Sequence, residues 1–153
     1  MTRAMPLQKL FFGADHAGFA LKERLLKVVR RLPLESSDLS PSFSKGDDYP
    51  ATAFAVAGCV VMDPTSLGLL ICGTGHGMEI AANRLRGIRA IVARTPEEAT
   101  IAREHNHANV LVLGGWTTSP ALATKILHAF LAANPSRATR RIRRIKQLDA
   151  LAS

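Results

Sequence analysis

Apolar positions along the chain change their spacing in a regular way. Short, nearly continuous apolar runs, typical of strands buried on both faces, alternate with longer segments whose apolar residues recur at helical spacing. The pattern therefore predicts strands and helices in alternation. The strands are expected at residues 9–13, 34–39 (weakly), 67–71, 88–92 and 110–113, and the helices at residues 19–31, 51–61, from 78 onwards, 95–104, 121–133 and 137–151.

Five alternations of strand and helix predict an α/β protein. Such a pattern folds into a parallel sheet covered on both faces, with right-handed crossovers. We therefore expect a three-layer α/β/α sandwich with a five-stranded, Rossmann-like parallel sheet. The 153 residues fit one domain, 1–153, with a short N-terminal extension at 1–8 and a basic C-terminal helix within 135–151.

The most informative stretch is residues 67–84, an apolar run followed by a glycine loop and a helical pattern. It places Cys72 at the carboxyl end of a parallel strand, the edge at which open α/β sheets bind ligands. Glycines at 73, 75 and 77 let backbone N–H groups approach an anion, and the next helix directs its positive end there. A thiol in such surroundings carries a larger thiolate fraction than a free cysteine.

Two other interpretations of this stretch remain. A cysteine at a strand end is often an inert core residue. A dinucleotide site is disfavoured, because the loop is G-x-G-x-G rather than G-x-G-x-x-G.

Polar residues at two other strand or loop ends complete the candidate set. Asp15 and His16 follow the first strand and so belong to the same edge as Cys72. Asp15 could instead cap the next helix. Tyr49, the only tyrosine, precedes Pro50 at the start of a helix. It is either a buried hydrogen-bonding residue or part of the site.

Charge and composition narrow the function classes. The net charge is +8, and residues 137–153 contribute +5 of it. That segment contains no aromatic residue, which disfavours a nucleic-acid partner and favours a phosphate-binding face. No apolar run reaches the 18 or so residues of a membrane span. Two cysteines and no visible secretory signal predict a cytoplasmic protein with reduced thiols.

Five separated pieces of sequence together resemble one family, the type B ribose-5-phosphate isomerases, which include galactose-6-phosphate isomerase subunits. The resemblance extends over about residues 9–148, and the order and spacing of the pieces make it specific. The pieces are residues 13–18, 48–50, 71–77 with 80–83, 87–90, and 105–111 with His105-Asn106 and Asn109-Val110-Leu111.

The resemblance implies interconversion of an aldose phosphate and a ketose phosphate through an enediolate, without metal or cofactor. Ribose 5-phosphate to ribulose 5-phosphate is the leading reaction. Cys72 matches the residue that moves the proton, Thr74 and the loop N–H groups match the part that stabilises the enediolate, and His105 matches the ring-opening histidine. His76, in the glycine loop, either contacts the substrate or is a bystander. The other expected substrate-binding positions are Asp15, His16, Tyr49, Gly73, Gly75, Gly77, Asn106, Arg137 and Arg141.

The last two of these, Arg137 and Arg141, match the pair that holds the phosphate. They are four residues apart, so we expect them on one face of the last helix, where two guanidinium groups can grip a dianion. The family's sites lie at a dimer interface, which implies a homodimer or a higher homo-oligomer.

Two positions depart from the family pattern. Trp116 stands just after the fifth strand, where members commonly carry an arginine, and His76 occupies a loop position that is often small or aliphatic. Both leave open another substrate, such as a tetrose, allose or galactose phosphate, or a non-catalytic protein that binds phosphorylated sugars. Some relatives use a glutamate early in the following helix, so Glu79 is the alternative base.

Overall fold

The computed structural model describes residues 8–151, so most of the predicted extension at 1–8 lies outside the described residues. Strands and helices alternate as the apolar pattern predicts. The strands are β1 (Lys9–Ala14), β2 (Glu35–Asp38), β3 (Leu67–Cys72), β4 (Ala90–Val92) and β5 (Val110–Gly114), and the helices are α1 (Phe19–Val29), α2 (Tyr49–Met62), α3 (His76–Ala82), α4 (Pro96–Asn106), α5 (Pro120–Ala132) and α6 (Thr139–Leu151).

The five strands form one parallel sheet in the order β2-β1-β3-β5-β4, which confirms the predicted fold class. Strand β3 lies at the centre, and all six of its residues are buried. Its register places Ile71 beside Ala14 of β1 and Cys72 beside Gly114 of β5. The residues that follow β1, β3 and β5 therefore meet at one edge of the sheet.

The helices cover the two faces of the sheet in separate layers. Helices α1, α4 and α5 pack on one face, and helices α2 and α3 pack on the other. The helices that follow β1 and β5 thus lie on the opposite face from the helix that follows β3. Such a change of face between neighbouring strands opens a crevice at their carboxyl ends, where α/β proteins bind ligands. Here it occurs on both sides of β3.

Two predicted boundaries are wrong in ways that matter for the site. Helix α4 extends to Asn106 rather than ending at residue 104, so His105 and Asn106 occupy its last turn. Helix α6 begins at Thr139 rather than at residue 137, so Arg137 precedes it. The reason is that Ser136 N–H donates to Glu104 O at 2.9 Å and Ser136 Oγ accepts from Ala138 N–H at 3.2 Å. The segment before Thr139 is held by these bonds instead of by helical ones.

Helix α6 has an apolar stripe that this chain covers only in part. Ile145 is buried, whereas Leu148 is 54% and Leu151 is 86% exposed. The helix is joined to the body of the protein by an ion pair between Arg89 Nη1 and Asp149 Oδ1, 2.9 Å apart. Within residues 8–151, no helix combines the length and apolar character that crossing a membrane requires.

The close contact between Gly18, at the start of α1, and Ile71 of β3 leads to a prediction about stability. A Cβ added at Gly18 would lie 2.1 Å from Ile71 O, although the φ of −96° at Gly18 is open to any residue. Gly18→Ala should therefore lower the free energy of unfolding by about 1–3 kcal/mol through overpacking. Gly58→Ala in α2 is the matched control, because an added Cβ there has no neighbour within 4 Å.

The control should be stabilising by about 0.5–1 kcal/mol, as expected for Ala in place of Gly inside a helix. Urea unfolding followed by circular dichroism measures both variants. Equal stabilities for the two alanine variants would contradict the proposed contact between the Gly18 turn and β3.

Candidate active site

Three loops are joined by backbone hydrogen bonds just beyond the carboxyl ends of β1, β3 and β5. Asp15 N–H donates to Ile71 O at 3.3 Å. Gly115 N–H donates to Cys72 O at 2.6 Å, and Trp116 N–H donates to Gly73 O at 2.9 Å. The loop that carries Cys72 is thereby fixed from both sides before any side chain contributes.

The thiol of Cys72 lies inside this junction. Cys72 is 5% exposed, and Gly75 N–H donates to its Sγ at 3.2 Å. Gly75 has a φ of +89°, a left-handed conformation that favours glycine, and this turn directs the N–H back to the sulfur. A backbone N–H at that distance stabilises negative charge on the sulfur.

Asp15 is buried beside the thiol and organises the turn that follows β1. Its Oδ1 accepts hydrogen bonds from Ala17 N–H at 3.0 Å and Gly18 N–H at 3.1 Å. The N-cap of α1 is Gly18, so Asp15 shapes the preceding turn rather than capping the helix. Both bonds use Oδ1, which leaves Oδ2 for a ligand.

His16 follows Asp15 and is paired with a carboxylate from another loop. Asp47 Oδ1 accepts a hydrogen bond from His16 N–H at 2.7 Å and lies 3.0 Å from His16 Nδ1. The side-chain hydrogen bond to Asp47 raises the pKa of His16 above its usual value, with a smaller contribution in the same direction from the charge of Asp15. Asp47 was not among the predicted site residues, and its place in a polar loop gave no spacing signal.

A buried lysine holds the start of that polar loop. Lys22 Nζ is fully buried and donates to Asp38 Oδ2 and to Ser40 O, both at 2.6 Å. Ser40 Oγ in turn accepts from Ala14 N–H at 2.9 Å, directly before Asp15. The buried charge is satisfied by these oxygens, and it ties the loop after β2 to the end of β1.

These elements surround a cleft of about 190 Å³. Tyr49 forms one wall: it is 39% exposed, and an added Cβ at Gly77 would lie 2.5 Å from its Cζ, so the ring packs on the loop backbone. Of the two alternatives left open by the sequence, this position favours the second, because Tyr49 lines the cleft. The lining residues are Asp15, His16, Ala17, Tyr49, Cys72, Gly73, Thr74, Gly77 and Trp116.

Larger grooves of about 510 Å³ lie elsewhere, one between α1 and α5 and one along α6. Neither is lined by a thiol, an imidazole or a carboxylate. The smaller cleft at Cys72 is therefore the better candidate, since it alone of these three combines a nucleophile with acid–base groups.

Four predicted site residues lie away from this cleft in the same chain. Helix α4 runs from the carboxyl end of β4 to the amino end of β5, so His105 and Asn106 lie at the opposite edge of the sheet from Cys72. Arg137 is near them, because neighbouring Ser136 bonds to Glu104 O at 2.9 Å and to His107 Nε2 at 2.8 Å. Arg141 follows in the first turn of α6.

Three further residues near Cys72 do not line the cleft. Gly75 lies behind the thiol, and exposed His76 begins α3. Glu79 Oε1 accepts a hydrogen bond from Val92 N–H at 2.9 Å, so this carboxylate is engaged in holding α3 to the end of β4.

A doubly wound sheet with a buried thiol and acid–base groups in one cleft at its switch point is the arrangement of an α/β enzyme. No lysine or arginine is found among the described lining residues. The Ribose/Galactose Isomerase family model matches residues 10–148. The chain belongs to this family.

Individual relatives agree over most of their length. Ribose-5-phosphate isomerase B of Mycobacterium tuberculosis is 39% identical over 138 residues, 90% of this chain and 85% of that protein. The Escherichia coli protein of the same name is 40% identical over 127 residues, 83% of this chain and 85% of that protein. A crystal structure of the Mycoplasma genitalium enzyme with bound ribulose 5-phosphate superposes with a TM-score of 0.89 at 36% identity, covering 93% of this chain and 94% of that one.

The contact between His16 and Asp47 can be tested by measuring the pKa of His16. Asp47→Asn should lower the pKa of His16 towards 6.5, because the charged acceptor that favours the imidazolium is removed. Nuclear magnetic resonance of the imidazole protons, followed against pH in both proteins, measures the shift.

The sign of the linked stability follows from the same pair. Because the pKa of His16 is raised in the folded protein, the pair stabilises the fold fully below the unfolded pKa of about 6.5. This stabilisation is lost as the pH rises through the folded-state pKa of His16. A His16 midpoint at or below 6.5 in the wild type would refute the pairing.

Proposed function

We propose that this protein interconverts an aldose phosphate and a ketose phosphate, with ribose 5-phosphate and ribulose 5-phosphate as the leading pair. The observation that carries the proposal is the Cys72 thiol, held 3.2 Å from Gly75 N–H inside a cleft with Asp15 and Thr74. The named relatives support the same substrates.

The reaction needs a base at carbon and stabilised negative charge at oxygen. The Cys72 thiolate removes the proton from C2 of the open-chain aldose, and the electron pair forms the C1–C2 double bond of an enediolate. Thr74 and the N–H groups of the glycine loop stabilise the oxygen that gains charge. The thiol then returns its proton to C1, while the proton on O2 is lost and O1 gains one, which gives the ketose.

The engaged position of Glu79 supports Cys72 as the base. Its Oε1 holds Val92 N–H, and it does not line the cleft, whereas Cys72 does. The relatives named above are isomerases, which favours catalysis over a non-catalytic binding protein.

Phosphate binding requires groups that the cleft does not contain. The cleft offers only His16 as a cation among the described lining residues, while Arg137 and Arg141 belong to the separate group with His105 and Asn106. We infer that a second copy of the chain brings this group to the cleft, with His105 opening the sugar ring and the two arginines binding the phosphate.

Two further observations support a shared site. A cleft of about 190 Å³ is smaller than the 300 Å³ or more of most small-molecule sites, so another surface is needed to enclose a sugar phosphate. The apolar stripe of α6, with Leu148 and Leu151 exposed, offers such a surface. We also infer that the enzyme works in the cytoplasm, where Cys59 and Cys72 stay reduced.

Removing the proposed base tests the chemistry. Cys72→Ala should abolish isomerisation of ribose 5-phosphate, a loss of at least about a hundredfold for a missing acid–base group. Exchange of the C2 proton with deuterium oxide, followed by nuclear magnetic resonance, should stop as well.

Cys59→Ala in α2 is the matched control and should keep wild-type exchange, since Cys59 does not line the cleft. Continued exchange in Cys72→Ala would show another base, and loss of exchange in Glu79→Gln with an intact Cys72 would identify it.

Mixing two inactive variants tests the shared site. One carries Cys72→Ala, and the other carries both Arg137→Ala and Arg141→Ala. In a mixed two-fold dimer one site has all its groups, so co-refolding should restore about a quarter of wild-type activity at subsaturating substrate. Each variant refolded alone is the control. A mixed dimer, purified by two different tags, that stays inactive would refute a site built from two copies.

A further inference from the structure

Trp116 lies two residues beyond β5, directly over the loop that carries Cys72. The backbone N–H of Trp116 donates to Gly73 O at 2.9 Å. A Cβ added at Gly73 would lie 2.6 Å from both Cε3 and Cζ3 of the indole. The absence of a side chain at Gly73 therefore allows the indole to rest on the backbone next to the thiol.

The indole is fixed on the loop side and open on the cleft side. Trp116 is 73% exposed although it lines the cleft with Asp15, Tyr49 and Cys72. A rigid ring with one face on backbone and much of its surface free is a preformed wall for a ligand, since few rotamers are lost on binding.

The chemistry of this wall selects what it can bind. An indole carries no charge and has one N–H donor, and no lysine or arginine is found among the described lining residues. The indole face offers a dianionic phosphate no ion pair, whereas the C–H groups of a sugar chain pack well on an aromatic face. The hydroxyl groups are then left to Asp15, His16 and Tyr49.

We propose that Trp116 is a specificity-determining residue that binds the carbon chain of the substrate and does not contact its phosphate. The inference rests on the proposed function, because it takes the ligand of the cleft to be a sugar phosphate. It assigns recognition of the carbon chain to the end of β5 and recognition of the phosphate to the arginines of the separate group.

The chain offers a direct optical test, because Trp116 is its only tryptophan. In the Cys72→Ala variant, which should bind without turnover, saturating ribose 5-phosphate should shift or quench the tryptophan emission. Inorganic phosphate, titrated to saturation of its inhibitory effect on the wild type, should leave the emission unchanged. An emission that responds to phosphate alone, or that ignores ribose 5-phosphate, overturns the proposal.

Kinetics give a second and independent test. Trp116→Ala should raise KM for ribose 5-phosphate about three- to tenfold, as expected for a lost aromatic contact, with kcat little changed. The inhibition constant of inorganic phosphate should stay at the wild-type value. Trp116→Phe should recover most of the loss, and it keeps the test available if the alanine variant does not fold.

Ile101→Ala is the control, since Ile101 is an exposed apolar residue on α4 that does not line the cleft. It should leave KM unchanged. An unchanged KM in Trp116→Ala, or an inhibition constant of phosphate that rises in parallel with KM, overturns the proposal. Dissociation of Trp116→Ala to monomers in size-exclusion chromatography would assign the ring to assembly instead and overturns it too.

The failure of this inference can be told from failure of the proposed function. A wild-type protein that isomerises no aldose phosphate refutes the function, whatever the tryptophan emission does. If the wild-type protein isomerises ribose 5-phosphate, but the tryptophan emission does not respond to it and Trp116→Ala leaves KM unchanged, only the role of Trp116 is refuted.

Discussion

The site depends on three carbonyl groups at the carboxyl end of β3 and in the first residue after it. Ile71 O, Cys72 O and Gly73 O accept hydrogen bonds from the loops after β1 and β5. A parallel strand normally stops pairing where its neighbours turn away, but here the pairing continues into the loops. The close approach is possible because Gly18 has no side chain facing Ile71 O. The thiol is consequently held by backbone bonds on both sides, and its position does not rely on the flexible side chains around it.

The topology separates the predicted site residues into two groups. Residues that follow a strand, such as Asp15 and Cys72, are carried to the carboxyl edge of the sheet. Residues that precede a strand, such as His105, are carried to the opposite edge by the length of α4. No rearrangement within a compact parallel sheet can bring these edges together, because they are separated by the strands themselves. A reaction that needs both groups therefore calls for two copies of the chain.

The apolar pattern predicted the strands, the helices and the edge at which Cys72, Asp15 and His16 lie, because the carboxyl ends of parallel strands share one edge. The pattern could not predict the strand order, because that order depends on how the crossover connections pack against the sheet. The pattern also could not predict the start of α6. Arg137 and Arg141 have helical spacing, but the bonds of Ser136 to Glu104 O and to Ala138 N–H hold the segment before Thr139 outside the helix. The contact between His16 and Asp47 joins residues 31 positions apart, and no local spacing encodes it.

The distribution of charge follows the same division. Most of the net positive charge lies in residues 137–153, while the described lining of the thiol cleft contains aromatic rings, backbone and two acid–base side chains. Within one chain the arginines belong to the opposite edge of the sheet, and the group that contacts the sulfur is the N–H of Gly75. The two ends of the substrate are then met by independent surfaces, so a change in the wall formed by Trp116 can alter which carbon chain is accepted without weakening the grip on the phosphate.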